Sequence, residues 1–157
     1  MKTINTFILS TIILITSLVS ANAKSTLDEI MQTGTLKVGT TGDFPGWSFK
    51  NPATNEYEGF DIEVAKQFAA DMGVEVEFIP TDWKNLVSGV VANKYYMTSS
   101  ASITTKRAMQ AGYSDSYYGT GTVAMTLKKN LDKFNGWESV DGITVAVTLG
   151  TVFENEA

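Results

Sequence analysis

The residues with the clearest chemical potential lie in one run, Thr98-Ser99-Ser100-Ala101-Ser102-Ile103-Thr104-Thr105-Lys106-Arg107. An arginine guanidinium presents a rigid fork of donors that matches a carboxylate bidentately, and hydroxyls with free backbone N–H groups complete such a shell. The chemistry offered is capture of a small anion or zwitterion. The same run also reads as a hydrated Ser/Thr loop leading into a helix, and its surroundings must decide between the two. The chain has neither His nor Cys, which removes disulfides, thiol nucleophiles, His-based triads and the usual zinc sites. Proton transfer would fall to Asp, Glu, Lys or Tyr, and no cofactor or metal is expected.

The elements that must position this loop are legible upstream. Residues 25–34 read as a short amphipathic helix with Leu27, Ile30 and Met31 on one face and Gly34 as its stop. Thr35 to Gly39 alternates as a strand, and Thr40 to Trp47 is a turn-rich loop at its C-terminal end. Open α/β sheets place their ligand crevice at that end. Phe44 and Trp47 read either as flat platforms for a ligand or as core plugs. Asn51 to Glu58 reads as a hairpin tip. A helix follows, with Asp61 as its N-cap, a buried stripe of Ile62, Ala65, Phe68, Ala69 and Met72, and Gly73 at its end.

Val74, Val76 and Phe78 alternate with Glu75 and Glu77 as a second strand. Asp82 is placed to cap a helix whose stripe is Leu86, Val87, Val90 and Val91, and Tyr95 to Thr98 is the third strand. Strand, helix, strand, helix, strand is the order of a parallel βαβ-type sheet, with all three following loops at one edge. That edge gathers Thr41, Asp43, Phe44, Trp83, Ser100, Ser102 and Arg107 around one crevice. The gathering favours capture over a plain hydrated loop.

The 157 residues are 43% hydrophobic and 18% charged, ordinary for a globular chain. Met1-Lys2, an apolar run from Phe7 to Val19 and Ser20-Ala21-Asn22-Ala23 make a secretory signal peptide over residues 1–23, cleaved after Ala23. The segment holds one lysine and no acid, so its removal takes the net charge from −5 to −6. An acidic chain without basic patches argues against nucleic acid or an anionic membrane as partner. Beyond Arg107, strands are expected over Thr122 to Leu127 and Ile143 to Val147, with a surface turn at Lys128-Lys129-Asn130 between them. Leu149 to Glu154 reads as a strand-to-helix turn whose N–H groups could receive an anion. So few elements cannot bury a core, and the C-terminal part reads as a lobe cut short.

Leu36-Lys37-Val38-Gly39-Thr40, the aromatic-Pro loop, Gly59-Phe60-Asp61-Ile62-Glu63-Val64-Ala65, Ser102-Ile103-Thr104-x-x-Arg107 and Tyr113-Ser114-Asp115-x-x-Tyr118 together resemble family 3 periplasmic solute-binding proteins, the polar amino-acid receptors of ABC importers. The resemblance implies an α/β fold of the periplasmic-binding-protein type II class, two lobes closing about a hinge, the second incomplete here. Lobe one would span residues 24–117, with the first hinge strand and a truncated lobe two in residues 118–157. It also implies a monomer in the periplasm that presents an amino acid or similar small carboxylate to an ABC permease in the inner membrane. Arg107 would hold the ligand α-carboxylate, assisted by Ser100 and Ser102, with Ser99 in the same loop and Thr151 and the Val152 N–H closing from lobe two. Phe44 and Trp83 would sandwich the ligand side chain. Where many such receptors carry an Asp for the ligand amine, this chain has Thr41, with Asp43 as a substitute. Tyr96 stands where the family commonly has Asp. Thr41-Gly42-Asp43-Phe44 and Thr81-Asp82-Trp83 are also similar to periplasmic cyclohexadienyl (arogenate/prephenate) dehydratases, enzymes on the same scaffold.

Overall fold

The computed structural model describes residues 24–156, so the signal peptide expected over residues 1–23 and its cleavage after Ala23 lie outside the described residues. The chain divides into two units, one ending at Thr33 and one beginning at Gly34. The first unit contributes helix α1, Thr26–Thr33. Its start is a capping box: the Asp28 N–H donates to Ser25 Oγ at 3.1 Å, and the Ser25 N–H donates to Asp28 Oδ2 at 3.2 Å. Of the expected apolar face only Ile30 is buried, while Leu27 and Met31 are exposed.

The second unit is built on β1, Thr35–Thr40, followed by three short strands, β2 (Asp43–Phe44), β3 (Ser48–Lys50) and β4 (Tyr57–Glu58). Helix α2, Phe60–Asp71, leads to β5, Glu75–Pro80. A 3-10 turn, Trp83–Asn85, runs into α3, Leu86–Val91, and β6 is Met97–Thr98. One helical turn, α4, spans Thr105–Ala108. Two further 3-10 turns, Lys128–Lys133 and Trp137–Val140, precede α5, Phe153–Glu156.

A three-stranded sheet in the order β5-β1-β6 forms the centre. All of its pairings are parallel: Thr35 to Thr40 run opposite Glu75 to Pro80, and Val38 and Gly39 lie opposite Met97 and Thr98. The middle strand carries the most buried side chains, Leu36 and Val38, as expected for a strand covered on both faces. Helix α2 packs on β1 and β5, and α3 on β1 and β6. The α2 stripe narrows to Ile62, Ala65 and Ala69, with Phe68 47% exposed against expectation. Burying one such Leu or Ile side chain stabilises a fold by roughly 1.5–3 kcal/mol. A second, antiparallel sheet, β2-β3-β4, is the hairpin read from Asn51 to Glu58 together with one extra strand.

Tyr95, expected at the start of the third strand, is instead a fully buried plug, and β6 begins two residues later. Its hydroxyl lies 2.8 Å from the Leu86 carbonyl and 3.0 Å from the Asn85 carbonyl, so its one proton is shared between two carbonyls at the start of α3 and the buried hydroxyl is not left without a partner. A Cβ at either Gly39 or Gly89 would run into the Tyr95 ring or hydroxyl, so these two glycines shape its slot.

The strands expected over residues 122–127 and 143–147 are absent. Val123, Met125, Leu127, Ile143, Val145 and Val147 are all exposed, Met125 to 96%. A strand exists only as a member of a ladder, and no neighbour pairs with these segments among the described residues.

Candidate functional site

Three loops leave the C-terminal edge of the central sheet: Thr41–Gly42 after β1, Thr81–Asp82 after β5 and Ser99–Thr104 after β6. Asp82 caps the 3-10 turn, its Oδ1 accepting the Asn85 N–H at 2.9 Å, and this fixes Trp83 at the start of that turn. The Trp83 indole Nε1–H donates to Asp43 Oδ1 at 3.0 Å. Phe44 meets Trp83 edge-on at 5.6 Å between centroids and stacks on Trp47 at 5.8 Å. Phe44 and Trp83, expected to sandwich the ligand side chain, contact each other directly in this structure as one aromatic cluster with Asp43 on its rim. Trp47 lies on the far side of it, edge-on to Tyr118 at 4.6 Å and to Phe60 at 5.6 Å.

Thr104 caps α4, its Oγ1 accepting the Arg107 N–H at 3.2 Å, and so carries Arg107 one turn beyond the Ser/Thr loop. The half-buried Arg107 guanidinium donates from Nη1 to the Ser102 carbonyl at 3.1 Å and from Nη2 to the Gly150 carbonyl at 2.9 Å. A guanidinium has five N–H donors, so these two bonds orient the fork and leave donors for an anion. Gly150 has φ +83°, and a Cβ there would stand 2.5 Å from the Lys84 backbone, so the 148–151 turn sits close against the residue after Trp83. Thr151, 8% exposed, donates its hydroxyl to the Thr148 carbonyl at 2.7 Å, and half-buried Val152 follows it. The Gly150 N–H, expected to be open to an anion, instead donates to Glu154 Oε2 at 2.8 Å.

A small cavity lies beneath these loops, admitting about 10 Å³ of water centres, near one water's worth. Its lining includes Thr40, Thr41, Ser48, Asp61, Trp83, Ser99 and Ser100. The hydroxyls of Thr40 and Thr41 are buried without a hydrogen-bond partner, so the lining of the cavity includes two unsatisfied hydroxyls. Thr41, Trp83, Ser99 and Ser100 thus share one cavity, while Arg107, Ser102 and the 150–152 turn form a second cluster. Asp43 and Phe44 join the first cluster through Trp83.

Asp61 departs from its expected role. The N-cap of α2 is Gly59, at φ +125°, where a Cβ would collide with the Trp47 backbone. Asp61 lies inside the helix, 3% exposed, and accepts hydrogen bonds from Ser100 Oγ and, at 3.2 Å, from the Tyr117 hydroxyl. Burial pushes its carboxyl above the ordinary range, against the pull of those two donors. Ser100 sits at φ +59°, a left-handed conformation that costs a non-glycine residue roughly 1–2 kcal/mol. Sequence reasoning missed Asp61 and Tyr117 as site residues. The signal was present in the Gly59-Phe60-Asp61 run, but a buried acid cannot be told from a cap without its partners. Among the described residues no group of acids is arranged to hold a metal ion.

The profile of the bacterial extracellular solute-binding proteins, family 3, matches residues 36–135. The chain belongs to this family. The type II periplasmic-binding-protein fold follows, and the mixed α/β unit described above is part of it. Among curated family relatives, the cyclohexadienyl dehydratase of Pseudomonas aeruginosa is 32% identical over 85% of this chain and 51% of its own length. The L-cystine-binding protein TcyJ of Escherichia coli is 29% identical over 82% of this chain and 48% of its own. Among solved structures, the ancestral amino acid-binding protein AncCDT-1, a precursor of cyclohexadienyl dehydratase, superposes with a TM-score of 0.81 at 40% identity, covering 85% of this chain and 60% of that one. The chain spans about half the length of the curated relatives it matches.

Proposed function

We propose that the protein is the solute-binding component of an ABC importer, capturing an amino acid or similar small carboxylate for a permease in the inner membrane. The observation that carries this reading is the Ser/Thr loop at the C-terminal edge of the sheet, in a family 3 chain: Ser99 and Ser100 line one cavity with Trp83, and the loop leads to Arg107, whose guanidinium is oriented by the Ser102 and Gly150 carbonyls. Arg107 receives the ligand carboxylate on its remaining donors, with Ser99, Ser100 and Ser102 beside it and Thr151 and the Val152 N–H across from it. Phe44 and Trp83 wall the side chain, and the neutral Thr41 leaves Asp43 as the acid nearest to meet an amine. Binding needs only this fork, an apolar wall and closure, with no chemical step. Residues 24–117 act as the first lobe and residues 118–157 as the hinge strand and the start of the second, in a monomer that works in the periplasm after cleavage at Ala23.

A second reading, a cyclohexadienyl dehydratase, is supported by the Pseudomonas aeruginosa relative that carries that activity in its name. It requires an acid that gives a proton to a departing hydroxyl in a closed, dry site. Asp43, the acid on the crevice rim, is exposed, which favours capture over catalysis. Calorimetric titration of the full-length protein with L-arginine, L-histidine and L-cystine, beside incubation with prephenate, separates the two. Saturable binding of one amino acid without aromatic product is expected. Turnover of prephenate that disappears in Asp43→Asn would replace the importer reading with the enzyme.

A further inference from the structure

Asp61 is the one acid among the lining residues of the cavity under the loops. Its two hydrogen-bond donors come from segments far apart in the chain. Ser100 Oγ reaches it from the Ser/Thr loop and Tyr117 Oη from the segment that follows α4. The other cavity walls present it with no charge: Thr40 from β1, Ser48 from β3, Phe78 from β5 and Leu86 from α3. Tyr117 is the ionisable group that faces it.

Ser100 is the point where this matters. Its backbone is left-handed, at φ +59°, and nothing in the residue type favours that state. A strained residue persists only where its surroundings over-determine it. The Ser100 side chain is held by a carboxyl group that is itself fixed inside a helix and buried, where a hydrogen bond counts for more than in water. The turn at Ser100 sets the direction in which Ser102 and then α4 leave the sheet. Tyr117, held by the same carboxylate, is followed by Tyr118, which packs on Trp47. One side chain therefore holds two segments in register.

We propose that Asp61 is a positioning residue: its buried carboxylate locks Ser100 in the left-handed conformation that presents the Ser/Thr loop and Arg107 to the ligand, and ties Tyr117 to the same point. The ligand half of this claim rests on the importer reading above. The locking half does not, so the two are tested by different measurements.

Hydrogen exchange read by mass spectrometry on the ligand-free full-length protein tests the lock. In Asp61→Ala, amides of residues 98–102 are expected to exchange about tenfold faster, with residues 35–40 and 75–80 within about threefold of the parent. Asp61→Asn keeps the shape of the side chain and one of its two acceptor oxygens, so it should show smaller rises than the alanine variant at residues 98–102, and it also covers the chance that the alanine variant fails to fold. Unchanged exchange at 98–102 in both variants, or an equal rise throughout the second unit, would overturn the lock. Titration with L-arginine, L-histidine and L-cystine then reads its consequence. If one binds the parent, Asp61→Ala should weaken it at least about tenfold, and much less so in a Ser100→Ala background, where the bond is already gone. Equal losses in both backgrounds would overturn the coupling to Ser100. If none binds the parent, the importer reading fails while the exchange result still decides the lock.

Discussion

At the scale of single residues, the site is a set of side chains whose backbones were chosen for them by neighbours. Arg107 stands on a one-turn helix capped by Thr104, and its guanidinium is oriented by the Ser102 and Gly150 carbonyls. Removing a charged bidentate contact from a bound carboxylate costs on the order of 2–5 kcal/mol. Lysine at this position would keep the charge and lose the fork. Arg107→Lys should therefore weaken amino-acid binding by at least about tenfold in calorimetry, while leaving the melting temperature within about 2 °C. A lysine variant that binds like the parent would reduce Arg107 to a point charge. At Trp83, replacement by Phe keeps the wall and deletes the indole N–H that holds Asp43 at 3.0 Å. Trp83→Phe should lower affinity modestly, by about threefold to tenfold, and crystallography of the variant should show Asp43 in a new rotamer.

At the scale of elements, the parallel sheet is organised by Tyr95 as much as by its apolar strands. The ring fills the slot left by Gly39 and Gly89, and its hydroxyl donates to the Asn85 and Leu86 carbonyls at the start of α3. Gly89→Ala pushes a methyl into that slot, and overpacking of this kind costs about 1–3 kcal/mol; it should lower the midpoint of urea unfolding, whereas Ala92→Gly on the exposed end of α3 should change it far less. The central elements were legible in the sequence because burial enforces period: alternation in β1 and β5, and the i, i+3, i+7 spacing of Ile62, Ala65 and Ala69 in α2. Tyr95 was not, because an aromatic residue beside a strand pattern carries the same propensity whether it pairs or plugs. The segments at 122–127 and 143–147 have strand-like alternation too, yet alternation supplies no partner, and in this chain they remain unpaired. The candidate site was legible as far as topology carries it. Three strand ends at one edge gather Thr41, Trp83, Ser99 and Ser100 about one cavity. Asp61 escaped because its role is a long-range bond, 39 residues from Ser100 in sequence.

At the scale of the whole molecule, the buried carboxyl of Asp61 links stability to pH. Burial raises its pKa in the folded state, so the folded chain holds a proton there that the unfolded chain has released. Stability from this group is complete below the unfolded value, about pH 4, and declines as pH rises through the raised folded value. The unfolding free energy of the parent, measured by urea titration at intervals from about pH 3.5 to 7, should therefore fall relative to that of Asp61→Asn across the window. A difference that rises with pH would show that the Ser100 and Tyr117 hydrogen bonds outweigh desolvation. Residues 36–135 carry the family pattern, and the chain covers about half the length of its curated relatives.

Isothermal titration of the full-length protein with whichever of L-arginine, L-histidine and L-cystine binds tightest should show Arg107→Ala weaker by about thirtyfold or more. Affinity retained within about threefold of the parent would contradict the claim that this guanidinium grips the ligand carboxylate.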